Sequence, residues 1–128
     1  MALNPYKLRI ENRKDYLFAH VEADELSLEI AHGYLSEVAE ASRSLGLDKV
    51  LVLRDIPAVF PDSGQFGIAQ DALEMLRGIK VCWVNPHAAN QPGLDFAALV
   101  AGNRGAIFKI FTNESDAAAW LMDDQDVS

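Results

Sequence analysis

Cysteine is almost absent from this chain: Cys82 stands alone. One thiol cannot close an internal disulfide, which argues against a small secreted framework. Basic residues are also scarce. Eleven Lys and Arg face 19 Asp and Glu, for a net charge of −8. A nucleic-acid binder needs a basic stripe that displaces counterions from phosphates. The nearest approach is Lys7, Arg9, Arg13 and Lys14, which is interleaved with Glu11 and Asp15. The same acidity disfavours an anionic membrane surface. No apolar run approaches the roughly 18 residues of a membrane helix, so no membrane insertion is expected. The first twenty residues mix charge with Pro5 instead of carrying an apolar signal core, so the cytoplasm is the expected compartment. Only three histidines occur, at 20, 32 and 87, with no HExxH or CxxC spacing around them, and no metal is expected. Gly64 and Gly67 form only Gly-x-x-Gly, short of any nucleotide-binding loop, and no cofactor is expected.

What the chain does have is apolar material, 50% of its 128 residues. That is enough for one domain over residues 1–128 with its own core. An acidic flexible tail is expected over about 123–128, where Asp123, Asp124 and Asp126 cluster.

The periodicity changes along the chain. Residues 6–12 alternate apolar and polar, the period of a half-buried strand. Residues 16–21 read as a second strand close enough to pair with it as an antiparallel hairpin. From Asp24 to Leu45 the period is helical: Leu28, Ala31, Leu35, Val38 and Leu45 share a face with Ile30, Tyr34 and Ala41 alongside. Asp24 or Ser27 can cap its start, and Gly46 ends it. Residues 49–53 and 79–84 are short Val/Leu-rich strands of the doubly covered kind. Residues 54–63 read as a loop containing Pro57 and Pro61, residues 64–77 as a second helix, 85–92 as a polar loop and 93–104 as a third helix. Residues 106–111 read as the last strand, and 113–122 as a helix started by Thr112 or Asn113. The order β-β-α-β-α-β-α-β-α predicts an α/β fold with a single-layer, mixed and mostly parallel five-stranded sheet.

In such sheets ligands favour the loops after the parallel strands. Here those loops carry Asp55, Asp62 and Ser63, then Asn85 and His87, then Thr112 and Asn113. Ser63, His87 and either Asp55 or Asp62 contain the atoms of a nucleophile, a base and an orienter. No Gly-x-Ser-x-Gly elbow accompanies them, so a Ser/His hydrolase ranks last among the readings. The plainer reading is that Asp62 and Ser63 cap the second helix and His87 sits exposed in its loop. Cys82, inside Val-Cys-Trp-Val, reads as a buried inert thiol. Trp120, Leu121 and Ala117 read as packing the last helix onto the sheet. Phe66, near the start of the second helix, is the better candidate for an exposed contact residue.

Two stretches carry a family resemblance. Asp55-Ile-Pro-Ala-Val-Phe-Pro-Asp62-Ser63-Gly64-Gln-Phe66-Gly67-Ile68 resembles the signature of STAS domains, the sulfate-transporter and anti-sigma-factor-antagonist fold. There a strand ends in Asp and a loop leads to Asp-Ser-Ser-Gly-Leu-Gly at a helix start. Phe108-Lys-Ile-Phe111-Thr-Asn-Glu-Ser-Asp-Ala117-Ala-Ala-Trp120-Leu121 looks like the closing strand and helix of the SpoIIAA-like branch. The element order agrees over nearly the whole chain. The family's antagonists accept phosphate on the second Ser of the pair. Gly64 stands at that position here, and the loop before it is one residue shorter, so Ser63 is the remaining candidate phosphoacceptor. The resemblance implies a non-enzymatic regulatory module that binds a protein partner or a small ligand. Its binding loops would contain Asp55, Asp62, Ser63, Gly64, Phe66 and His87. The alternative is a carrier of a small apolar ligand beneath the third helix, with Leu94, Phe96, Leu99 and Val100 as its lid. Homodimerisation is compatible with either.

Overall fold

A computed structural model describes residues 6–57 and 62–123; for residues 62–66 it describes the backbone alone. Five strands, β1 (Lys7–Asn12), β2 (Leu17–Glu22), β3 (Lys49–Asp55), β4 (Lys80–Val84) and β5 (Ile107–Phe111), form one sheet in the order β1-β2-β3-β4-β5. β1 and β2 are the antiparallel hairpin, and the other three pairings are parallel. Between the parallel strands run α1 (Leu28–Leu45), α2 (Asp62–Met75) and α3 (Gln91–Gly102), and α4 (Glu114–Leu121) closes the chain. The mixed, mostly parallel α/β architecture is the one expected from the sequence.

Strand alternation divides the side chains between two faces. Leu17, Ala19 and Val21 of β2, Val50 and Val52 of β3, and Val81 and Trp83 of β4 join Ile30, Ala31, Tyr34, Leu35 and Val38 of α1 and Ala72 and Leu76 of α2 in the main core. Crossovers of constant hand between strands laid down in sequence put their helices on one side. The second face is covered by α4, where Ala117 and Leu121 pack on Phe18, Leu51, Cys82 and Val84. Phe18 lies further toward the hairpin, and the Arg13 guanidinium covers its ring at 3.7 Å from the centroid.

The element ends show why each segment stops. Ser27 Oγ accepts the Ile30 N–H at 3.0 Å, so α1 starts at Leu28 and not at Asp24. Gly46 closes α1 with φ of 68°, a left-handed backbone that glycine adopts freely. Asn113 Oδ1 accepts the Asp116 N–H at 2.8 Å and starts α4. At the other end of α4, Lys80 is a cation almost wholly removed from solvent. Its Nζ donates to the carbonyls of Trp120 at 2.8 Å and Asp123 at 3.0 Å, and lies over the Trp120 ring. A cation there is a second donor to the Trp120 carbonyl, which also accepts the Asp123 N–H at 3.2 Å, and it faces the negative end of the helix dipole.

Several boundaries differ from the sequence reading. β3 continues through Arg54 and Asp55, because β2 supplies Val21 and Glu22 as their partners across the ladder. The loop expected over 54–63 is shorter at both ends, since α2 begins at Asp62; residues 58–61, including Pro61, lie outside the described residues. A 3-10 turn at Ala88–Asn90 precedes α3, whose first turn accommodates Pro92 where no N–H is needed. Leu28 and Leu45, expected on the buried face of α1, are about half exposed because they are its first and last residues. The acidic tail at 124–128 lies outside the described residues.

Candidate functional site

The carboxyl ends of β3 and β4 are tied together by side chains. Asp55, the last residue of β3, meets His87 in the loop after β4, with Asp55 Oδ1 2.6 Å from His87 Nε2. His87 is therefore a partnered, half-buried side chain and not the exposed loop residue of the plainer sequence reading, and its partner is one of the two aspartates considered for it. Its position is set by Asn85, which is buried. Asn85 Oδ1 accepts the His87 N–H at 3.1 Å, and Asn85 Nδ2 donates to the His87 carbonyl at 2.8 Å and to Gln91 Oε1 at 3.1 Å. A second tie runs from Asn90 Nδ2 to the carbonyl of Ile56 at 2.6 Å. The loop 85–91 and the end of β3 thus form one polar platform.

The register of β2 on β3 adds residues that the sequence reading did not place here. Glu22 is the ladder partner of Asp55. His20, two residues earlier on the same face, lies 3.3 Å from Glu22 Oε1 through its Nε2. One donor atom from each of His20, Glu22 and Asp55 falls within 4.8 Å of the others. Such a trio could hold a divalent cation with water in the remaining positions. The arrangement is equally satisfied as it stands, with each imidazole on a carboxylate. His32 makes a looser contact of 3.6 Å with Asp71, between α1 and α2.

The side chains of Asp62, Ser63, Gln65 and Phe66 lie outside the described residues, so neither the candidate phosphoacceptor nor a Ser63–His87 pair is placed. The backbone puts Asp62 and Ser63 in the first turn of α2. Of the remaining expected positions, Asp55 and His87 are in contact. Nothing short-range in the sequence announced His20 and Glu22. Only the β2–β3 pairing brings them to Asp55.

Cys82 is fully buried in β4, 3.7 Å from the Val50 carbonyl, and burial pushes its thiol up to about 12. At pH 8 such a group is thiolate in only about one molecule in ten thousand. The folded chain is therefore expected to resist a thiol-reactive disulfide reagent at pH 8, while the urea-unfolded chain reacts at once. Rapid labelling of the folded chain would contradict this burial.

On the opposite face of the sheet, a cavity opens between α2, α3 and strands β3–β5. It is bounded by Tyr34, Ile68, Ala72, Trp83, Leu94 and Phe108 among others, with Arg54 in its wall. Its empty volume is about 430 Å³ including the mouth, of which about 40 Å³ admits the centre of a water-sized sphere. Leu94 and Val100, two of the expected lid residues, are buried, whereas Phe96 and Leu99 point outward.

No family model matches the chain, and no curated protein matches it in sequence. Solved structures do match in fold. An anti-sigma factor antagonist from Mycobacterium paratuberculosis superposes with a TM-score of 0.59 at 13% identity, covering 95% of this chain and 98% of that one. An uncharacterised protein of the DUF3478 family with a SpoIIAA-like fold, from Shewanella loihica, gives a TM-score of 0.55 at 18% identity, covering 94% and 97%. The chain has the STAS/SpoIIAA-like fold over nearly its whole length. No helix among the described residues is long and apolar enough to cross a membrane.

Proposed function

We propose that residues 1–128 form one non-enzymatic regulatory domain that binds a protein partner through the carboxyl edge of its parallel strands. The face comprises Asp55, His87 and the first turn of α2, with Asp62, Ser63, Gly64 and Phe66. The observation that carries this reading is the 2.6 Å contact between Asp55 and His87, which ties the end of β3 to the loop after β4 in one platform. A preformed surface loses less freedom on binding than two separate loops would. With a net charge of −8, the chain would be drawn to a partner that presents a basic surface.

Phosphate on Ser63 would add about −1.5 to −2 charge in the first turn of α2. The helix dipole favours that charge, while Asp62 beside it in sequence opposes it. Such a balance suits a reversible switch. A hydrolase is less well supported, because no Gly-x-Ser-x-Gly elbow accompanies Ser63.

The test is to purify the tagged chain from its own cells in four forms: wild type, S63A, S63E and H87A. Mass spectrometry would then identify what each retains. The expected result is one partner held by wild type and S63A and retained at least tenfold less by S63E and H87A. Equal retention by all four forms, or none by wild type, would overturn the proposal.

A further inference from the structure

β3 directs Val50, Val52 and Arg54 to the same face of the sheet by alternation, and Ile56 just after it joins the same core. Three of the four are aliphatic core residues, and the fourth is a cation only 3% exposed. Arg54 Nη1 has no hydrogen-bond partner among the described residues. Among the described residues no carboxylate lines the cavity into whose wall Arg54 is built, and the other polar groups there are the Tyr34 phenol and the Trp83 indole N–H. A buried cation without a counter-charge is strongly unfavourable unless something supplies one. The space beside it exists because α2 and α3 meet through small residues, Ala69 and Ala72 against Ala97 and Ala98.

We propose that this cavity is a binding site for a small organic monocarboxylate, its carboxylate on Arg54 and its apolar body against Trp83, Leu94 and the alanines of α2 and α3. A planar guanidinium matches a carboxylate with two parallel hydrogen bonds. One negative charge neutralises one cation, whereas a phosphate dianion would leave excess charge buried among apolar walls. The interior open to the centre of a water-sized sphere, about 40 Å³, corresponds to about three water-sized bodies. That suits a compact branched acid better than a long chain. Arg54 and Asp55 point to opposite faces of β3, so this site is separate from the Asp55–His87 contact and does not depend on it.

The test is an NMR titration of the full chain with isobutyrate, and with isobutyramide and inorganic phosphate as controls, read at the Trp83 indole and the Ala97 and Ala98 methyls. Isobutyrate should shift these signals with a dissociation constant on the order of 1 mM, as its few heavy atoms allow, and at least tenfold more tightly than the amide or phosphate. R54M should weaken isobutyrate at least tenfold without lowering the melting temperature. A98L, which fills the cavity and keeps Arg54, should weaken it comparably and serves alone if R54M does not fold. Absence of shifts with isobutyrate, equal binding of the amide or of phosphate, or undiminished binding in either variant would overturn the assignment.

Discussion

Lys80→Met is expected to lower folding stability by about 3 kcal/mol, because it removes a charged donor from two carbonyls at the end of α4. Methionine keeps most of the stem and its packing, so the loss reports the ammonium and its contact with the Trp120 ring. The damage should begin at α4, an eight-residue helix that depends on its capping and on two buried residues, Ala117 and Leu121. When α4 lifts, Cys82 beneath it is uncovered. The variant should therefore label at Cys82 faster than wild type at urea concentrations below the global transition, a sign of local opening. Urea unfolding followed in parallel gives the global change. A loss under about 1 kcal/mol, the scale of one ordinary hydrogen bond, with unchanged labelling would mean that solvent satisfies these carbonyls as well as Lys80 does.

Arg54→Met should move stability the other way, by about 1–2 kcal/mol in favour of the folded chain when no anion is present. Replacing a buried, incompletely paired charge by an apolar side chain of similar length is often neutral or stabilising, because the desolvation of the charge is no longer incurred. The methionine also continues the aliphatic row of Val50, Val52 and Ile56. Tyr34 supplies an internal check. Burial pushes its phenol up while the Arg54 guanidinium beside it pulls down, so its phenol should titrate still higher in the variant. Isobutyrate should reverse the ranking. At one hundred times the dissociation constant, a ligand bound only by the folded state adds about 2.7 kcal/mol, which wild type gains and the variant does not. Urea midpoints with and without isobutyrate measure both effects. A variant less stable than wild type in plain buffer would mean that the guanidinium is fully paired in the folded chain.

The sequence made the local structure legible where a single residue has a strong local reason to act. Ser27, Gly46 and Asn113 mark helix ends through bonds within one turn, and each stands at an observed end. The SpoIIAA-like fold was legible because the alternation of strands and helices survives even at 13–18% identity. Arg54 and Asp55 were misread as loop because a charged pair usually ends an apolar run. Their strand conformation comes from the β2 ladder, which lies more than thirty residues away in sequence. The same ladder brings His20 and Glu22 to Asp55, a neighbourhood that depends on register and leaves no short-range pattern. The sequence offered His87 either Asp55 or Asp62 as a partner and could not choose, because Asp55 lies 32 positions upstream in a contact that exists only once β3 and β4 are paired. The cavity had even less signal, since scattered alanines in α2 and α3 become a hollow only when the two helices are packed together.

The strand order β1-β2-β3-β4-β5 bears on how the chain is made. Each new strand leaving the ribosome docks on the edge of the one before it, so no segment is inserted between two already paired, and the growing sheet needs no rearrangement. The final helix is the exception to this steady growth. Until α4 emerges, Phe18, Leu51, Cys82 and Val84 form an apolar strip with nothing over its centre, and the Lys80 ammonium waits for the carbonyls it will cap. A nascent chain stalled after β5 would present that strip to chaperones and to other stalled chains, and synthesis of the last helix is the event that removes the hazard.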